Sequence, residues 1–161
     1  MGWLATLGAA RYRDIWRDPG RTIRTLESFA ETEADGARDI ATARERSAEP
    51  WLRVQFEHHA ADEWRHAEMF RARARELRAQ HPEVEAVERD PGFDLAKGRK
   101  SADVDAHGFF VSGLMEELGD VAYVAMLHVA EKRAARLFRL MSAATRHDPA
   151  TSRIFDEILK D

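Results

Sequence analysis

The amino-acid sequence predicts an all-α fold of four helices, arranged as two helical hairpins that are joined by a long crossover. Apolar residues recur at steps of three, four and seven along most of the chain, and the period-two alternation typical of strands is absent. Proline and glycine interrupt this pattern at a few points, where we expect helices to end. The 161 residues, 44% hydrophobic and 34% charged, match the size and composition of one globular domain.

The first hairpin is predicted over residues 19–81. Its first helix opens at Pro19 and ends near Ser47, because Pro50 disfavours the helical conformation in the residue before it. The second helix begins at Pro50 and stops before Pro82. Apolar stripes mark the inward faces of the two helices, with Ile23, Leu26, Ala30, Ala37 and Ile40 in the first and Leu52, Phe56, Phe70 and Leu77 in the second.

The second hairpin is predicted over residues 103–161. Residues 82–102 are charged, contain prolines and glycines and show no clear period, so they are predicted to form the crossover. The third helix runs from about Gly119 to Arg146, and residues 103–118 form either a separate helix or a kinked extension of it. Thr151 is expected to cap a short fourth helix. The residues expected to face inward from the third helix are Val121, Val124, Ala135 and Phe138.

Residues 1–18 are predicted to form an amphipathic leader that packs against the bundle; the alternative is that it lies on a membrane or a partner. No basic segment precedes its apolar residues, and no apolar run is long enough to span a membrane. The net charge of −4 is spread without a basic face for nucleic acid, and the absence of cysteine excludes disulfides. We therefore expect a cytoplasmic protein. Trp16 belongs to this leader. Trp51, Trp64 and Phe110 are interpreted as packing residues, and the alternative for them is an aromatic relay.

Charged side chains interrupt the apolar stripes in three helices. Glu33 lies on the stripe of the first helix, Glu63 and His66 on that of the second, and Glu131 on that of the third. An unpaired buried carboxylate costs several kcal/mol or becomes protonated, so a divalent cation between the helices is expected to balance these charges. Because residues three apart are neighbours on a helix, Glu63 and His66 can offer an oxygen and a nitrogen to one ion, a donor pair suited to iron, manganese or zinc.

These residues carry a resemblance to a known family. Glu33, followed by the segment DEWRHAEMF at residues 62–70, resembles the ferritin-like superfamily, particularly its rubrerythrin-like branch. The resemblance implies an up-down four-helix bundle with two iron or manganese ions between the helices, and it implies the metal ligands Glu33, Glu63, His66 and Glu131. It further implies an oxidoreductase that activates dioxygen or peroxide, as a peroxidase, ferroxidase or hydroxylase. Without cysteine the chain lacks the iron module of rubrerythrins, so an external protein must donate electrons. A homodimer is a further expectation for this chain.

Four further side chains are expected close to the metal ligands. In similar bundles the aspartate before a ligand glutamate orients the histidine of the opposite hairpin, so the resemblance assigns this role to Asp161 toward His66, and a similar one to Asp62. The alternative for both aspartates is a solvated position. His59 and His128 lie about one turn before Glu63 and Glu131, and they are interpreted as extra ligands, as hydrogen-bond partners of the ligands or as core histidines.

An internal repeat relates the two hairpins. Residues 33–38 resemble residues 131–136, and a proline follows each segment at nearly the same interval. The repeat predicts a second Glu-x-x-His starting at about position 162, so that the fourth helix and the second metal position are incomplete in this chain. Glu157 and Lys160 do not replace it, because lysine stands where histidine is needed and the pair is rotated by about 140°. The competitors set aside for the other ligand positions are Glu27, Glu31, Glu116 and Glu117.

The alternative function is a metal-free ferritin-like scaffold that serves as a structural or protein-interaction module. Without metal, the inward carboxylates must be neutralised by protons or by inward arginines, and the apolar stripes contain no arginine. The two functions therefore predict different surroundings for the buried carboxylates.

Overall fold

The computed structural model describes residues 12–84 and 114–161, except for the side chains of residues 114–117. This part of the chain consists of helices and short turns without any strand, which confirms the all-α prediction. Its helices are α1 (Pro19–Arg46), α2 (Pro50–Gln80), α3 (Leu114–Ala144) and α4 (Pro149–Ile158), and residues 12–17 are also helical. The leader residues 1–11, the predicted crossover from residue 85 onward and residues 103–113 lie outside the described residues.

Helices α1 and α2 form a long antiparallel pair whose ends follow the expected signals. The Asp18 carboxylate caps α1 by accepting a hydrogen bond from the Arg21 amide at 2.8 Å, and Pro19 occupies the first turn. Ser47 is extended and ends α1, and Pro50 starts α2 three residues later. The stripe residues predicted for both helices are buried, so the inward faces of α1 and α2 are those expected from the sequence.

Two apolar clusters lie toward opposite ends of this helix pair. The first contains Trp16, Phe29, Phe70, Phe138 and Phe155, and its neighbouring rings have centroids 5.3–5.9 Å apart. The second contains Ile40, Leu52, Phe56 and Tyr123. Along α1 and α2 the predicted ligands fall between residues of the two clusters, so packed apolar side chains fix the helices on both sides of the candidate site.

Helix α3 is kinked where the sequence predicted a break, but the predicted register of its first half is wrong. Gly119 has a φ of 71°, a left-handed conformation that glycine adopts without steric cost. Beyond it, Val121 is 86% exposed and Val124 is also exposed, whereas Tyr123 is buried with its ring edge-on to Phe56 at 5.7 Å. A tyrosine ring buries more apolar area than a valine and gains an aromatic contact here, so the stripe through Tyr123 faces α2.

Helix α4 is capped by Asp148, so the prediction of Thr151 as the cap is wrong. The Asp148 carboxylate accepts hydrogen bonds from the amides of Ala150 and Thr151, each at 3.2 Å, and Pro149 fills the first turn. A carboxylate placed directly before a first-turn proline reaches two free amides at once. Thr151 is instead fully buried inside the first turn, and its hydroxyl donates to Asp148 at 2.6 Å.

The tryptophans divide between core and surface. Trp16 packs in the core as expected, and its indole N–H donates to the Met141 sulfur at 3.4 Å. The packing interpretation is wrong for Trp51 and Trp64, because both lie on outward faces of α2 and are 64% and 43% exposed. The Arg38 guanidinium lies over the Trp64 ring. Phe110 lies outside the described residues. Among those residues, no helix is long and apolar enough to cross a membrane.

Candidate metal centre

The predicted ligands from three helices face one another in two overlapping groups. The first group is Glu33 of α1 with Glu63 and His66 of α2, and the second is His59 and Glu63 of α2 with Glu131 of α3. In each group, one potential ligand atom from each residue lies within 4.8 Å of those from the other two. The structure thus brings the four residues predicted as ligands together with His59, and Glu63 belongs to both groups.

The first group is buried between α1 and α2. His66 Nδ1 lies 3.5 Å from Glu33 Oε2, and the two side chains are 8% and 10% exposed. On the other side of the ring, His66 Nε2 lies 3.0 Å from Asp161 Oδ2, so carboxylates contact both nitrogens. The spacing of Glu63 and His66 on α2 places both side chains toward Glu33.

The second group lies toward α3 and is more accessible. His59 Nε2 is 2.9 Å from Glu131 Oε1 and 3.2 Å from Glu63 Oε1. The side chains of His59 and Glu131 are 29% and 50% exposed, whereas that of Glu63 is 12% exposed. Glu63 therefore connects a buried half of the site with a half that is open to solvent.

The metal-free protein balances these carboxylates with imidazoles and protons. Burial, supported by the neighbouring Glu63, raises the pKa of Glu33 to about 8 despite its contact with His66. Burial also opposes ionisation of Glu63, but hydrogen bonds with His59 and Glu33 outweigh it and lower the pKa of Glu63. Hydrogen bonds to Glu131 and Glu63 raise the pKa of His59 to about 10. Burial lowers the pKa of His66, yet contacts with Glu33 and Asp161 leave that pKa raised overall.

Of the aspartates and histidines expected to support the ligands, some contact a ligand and others lie beside the site. Asp161 contacts His66, and Arg65 donates both to Asp161 and to Asp62, the latter at 3.1 Å. Asp62 belongs to neither ligand group. His128 is exposed and lines the adjoining cavity without belonging to a group. Sequence reasoning missed Arg65, because it lies beside His66 off the apolar stripe and only its long side chain reaches the site.

The glutamates set aside from the sequence lie away from both groups. Glu27 pairs with Arg78 at 2.7 Å, and Glu157 pairs with Lys160 at 2.7 Å on the surface of α4. Glu31 is exposed. The side chains of Glu116 and Glu117 lie outside the described residues.

A cavity of about 870 Å³ adjoins the site between α1, α2 and α3. Its wall combines both ligand groups with apolar side chains, among them Ile40, Tyr123, Met126, Leu127 and Phe138. Gly36 also lies in this wall, and a Cβ atom at this position would make an ordinary contact with Glu63 Oε2 at 3.8 Å. Small molecules can thus approach the carboxylates without unfolding a helix.

Comparison of the chain with protein-family models, with curated proteins and with solved structures finds no match.

Proposed function

We propose that this protein is a ferritin-like di-metal protein that binds two iron or manganese ions and activates dioxygen or peroxide. The observation that carries the proposal is the pair of ligand groups that share Glu63. A carboxylate has two oxygens and can therefore contribute to two neighbouring ions, whereas an isolated metal site needs no shared residue.

The donor set fits such ions. Glu33, Glu63 and His66 would hold one ion, while Glu63 and Glu131 would contribute to the other. Anionic carboxylates with imidazole suit iron and manganese, and zinc accepts the same donors. When bound, the redox-active ions would supply electrons for the reduction of dioxygen or peroxide.

The surroundings of the ligands determine the orientation of His66 and the protonation of Glu33. The contact of Asp161 with His66 Nε2 leaves Nδ1 on the side of Glu33, so Asp161 fixes which ring nitrogen is presented to the first group. Glu33 is protonated at neutral pH without metal, so its carboxyl must release a proton before both oxygens are available to a cation. The cavity provides space for a small oxidant beside Glu131.

The order of the helices supports the ferritin-like part of the proposal. Two long helices pack side by side and carry Glu33, Glu63 and His66, and the chain then passes through residues 81–113 before α3 begins. Helices α3 and α4 pack on each other as a second hairpin, and α3 brings Glu131 to the first hairpin. A hairpin followed by a long connection and a second hairpin is typical of a four-helix bundle with one crossover.

Metal binding tests the proposal directly. We expect the metal-free protein to bind Fe(II) or Mn(II) in anaerobic equilibrium dialysis, and Glu63→Gln to lose binding because the altered residue belongs to both groups. Glu68→Gln is the matched control, since Glu68 lies on the same helix, is 58% exposed and pairs with Arg75. Absence of metal binding by the parent protein, or equal binding by Glu63→Gln and the control, would contradict the proposal.

Activity is tested separately. Fe(II)-loaded protein with a chemical reductant is expected to consume oxygen or peroxide faster than an equal concentration of free Fe(II), and Glu63→Gln is expected to lose this difference. If the loaded protein consumes neither oxidant above that background, it binds metal without the proposed chemistry.

A metal-free scaffold is the second candidate, and one observation favours it. His59 and His66 face the three carboxylates of the site, so the charges can be balanced without metal and without an inward arginine. For this candidate, metal binding should be absent, and Glu63→Gln should change only the stability of the protein.

A further inference from the structure

The second metal position has an imidazole that the ferritin-like pattern does not provide. In that pattern, each hairpin contributes one Glu-x-x-His. Within residues 1–161 this motif occurs at Glu63 and His66, and His66 belongs to the first group. The imidazole that faces Glu131 is that of His59, four residues before Glu63 on the same helix.

Helical geometry allows α2 to supply both imidazoles. At 3.6 residues per turn, His59, Glu63 and His66 lie within an arc of about 60° on one face, with the two histidines about 10 Å apart along the axis. One carboxylate is therefore flanked by a histidine on each side, and each histidine faces a glutamate of a different neighbouring helix, Glu33 or Glu131.

The distances suit a shared cation. A single nitrogen, His59 Nε2, lies 2.9 Å from Glu131 Oε1 and 3.2 Å from Glu63 Oε1. Neighbouring ligand atoms of a six-coordinate ion with bonds of about 2.1 Å are separated by about 3.0 Å. His59 Nε2 thus has the spacing of an adjacent ligand toward each carboxylate oxygen, and the three residues have ligand atoms within 4.8 Å of one another. The Glu131 side chain is 50% exposed and that of His59 is partly exposed, which leaves solvent access for the remaining positions.

We infer that His59 is the imidazole ligand of the second metal position, where His59, Glu63 and Glu131 hold a divalent transition-metal ion. The inference rests on the proposed di-metal function. It adds that the second position takes its histidine from the first hairpin, so that α2 contributes a ligand histidine to each ion.

Metal stoichiometry provides the test. Anaerobic equilibrium dialysis with Co(II), followed by elemental analysis, is expected to give two ions per chain for the parent protein and one for His59→Ala. Glu131→Gln should give the same result as His59→Ala, because its side chain belongs only to the second group. The matched control is His58→Ala, which removes an exposed imidazole from the adjacent position and should retain two ions.

A chemical rescue separates ligation from a structural effect. Added imidazole is expected to restore the second ion to His59→Ala, and the visible Co(II) spectrum should again indicate nitrogen coordination. Circular dichroism must show that the variant retains the helix content of the parent. A folded variant that regains no second ion with imidazole would overturn the inference.

The outcomes distinguish this inference from the proposed function. If the parent protein binds no metal, the proposed function fails and the inference fails with it. If the parent binds two ions and His59→Ala also binds two with dissociation constants within twofold of the parent, the inference is wrong and the di-metal function stands. A parent that binds one ion, lost in Glu63→Gln and kept in His59→Ala, also overturns the inference.

Discussion

The strongest stability prediction concerns Asp148, which joins the start of α4 to α2. Its carboxylate accepts hydrogen bonds from the Ala150 and Thr151 amides at 3.2 Å and from the Thr151 hydroxyl at 2.6 Å. It also forms a two-pronged ion pair with Arg73, whose Nη2 lies 3.0 and 2.9 Å from its two oxygens. Helix α4 leads to Asp161, which contacts His66, so this junction also positions one side of the candidate site.

The expected cost of Asp148→Ala combines two losses. Removal of a helix cap costs about 1 kcal/mol of stability, and leaving a charged group without its hydrogen-bond partner costs about 1–3 kcal/mol. The Arg73 side chain is only 11% exposed, so water replaces its lost anion incompletely. We therefore expect Asp148→Ala to lower the free energy of unfolding by about 2–4 kcal/mol. Asp148→Asn, which retains a capping oxygen, should lose about 1–2 kcal/mol.

The effect should also depend on pH in a defined direction. Burial raises the pKa of Asp148, but hydrogen bonds from Thr151 and Arg73 outweigh it and hold that pKa below its ordinary value. The stabilisation is therefore present above the unfolded pKa of about 3.9 and is lost as the pH falls through the lower folded value. The stability difference between the parent and Asp148→Asn should shrink in acid.

Urea unfolding of the metal-free protein, followed by circular dichroism from pH 3 to 7, measures this effect. Glu157→Ala is the control on α4, because it removes only an exposed pair with Lys160 and should change stability by less than about 0.5 kcal/mol. A cost of Asp148→Ala no larger than that of the control would refute the reasoning. Equal losses for Asp148→Ala and Asp148→Asn would show that the cap contributes nothing.

Three further predictions concern the site and the core. With a chelator present, Glu33→Gln should gain stability relative to the parent as the pH rises from 4.5 to about 8, because in this range Glu33 is ionised in the unfolded chain but protonated in the folded protein, where its pKa is about 8. The gain should level off above that pH, and a pH-independent difference in urea unfolding would contradict the prediction. Gly36→Ala should raise the unfolding free energy by about 0.5–1 kcal/mol, because alanine favours the helix over glycine and the added Cβ would make only an ordinary contact with Glu63. A lower melting temperature would contradict this prediction. Phe155→Ala should cost about 3–5 kcal/mol in urea unfolding, because this fully buried ring packs against four other aromatic rings; a loss below 1 kcal/mol would contradict it.

The helix ends were predictable where their signals are local. Pro19, Ser47 and Pro50 determine the boundaries of α1 and α2 through constraints on their own backbone and that of their neighbours. The register of α3 was not predictable in this way, because its sequence carries two apolar stripes. Only packing against Phe56 decides that Tyr123 faces inward and Val121 faces solvent.

The same distinction applies to the candidate site. Glu33, Glu63 and His66 were predictable because they interrupt stripes whose inward direction is clear from the sequence. Glu131 is also placed at the site despite the wrong register, because the stripe that begins at Tyr123 passes through it as well. The partner of His59 depends on the position of α3 beside α2, and no pattern within α2 contains that information.

The two halves of the site differ because the helices pack differently. Helices α1 and α2 pack together along most of their length and bury Glu33 and His66, whereas α3 lies farther from them and leaves Glu131 half exposed beside the cavity. Water is therefore excluded from the first group more completely than from the second. Glu63, which belongs to both groups, connects the buried half of the site with the half that contains Glu131.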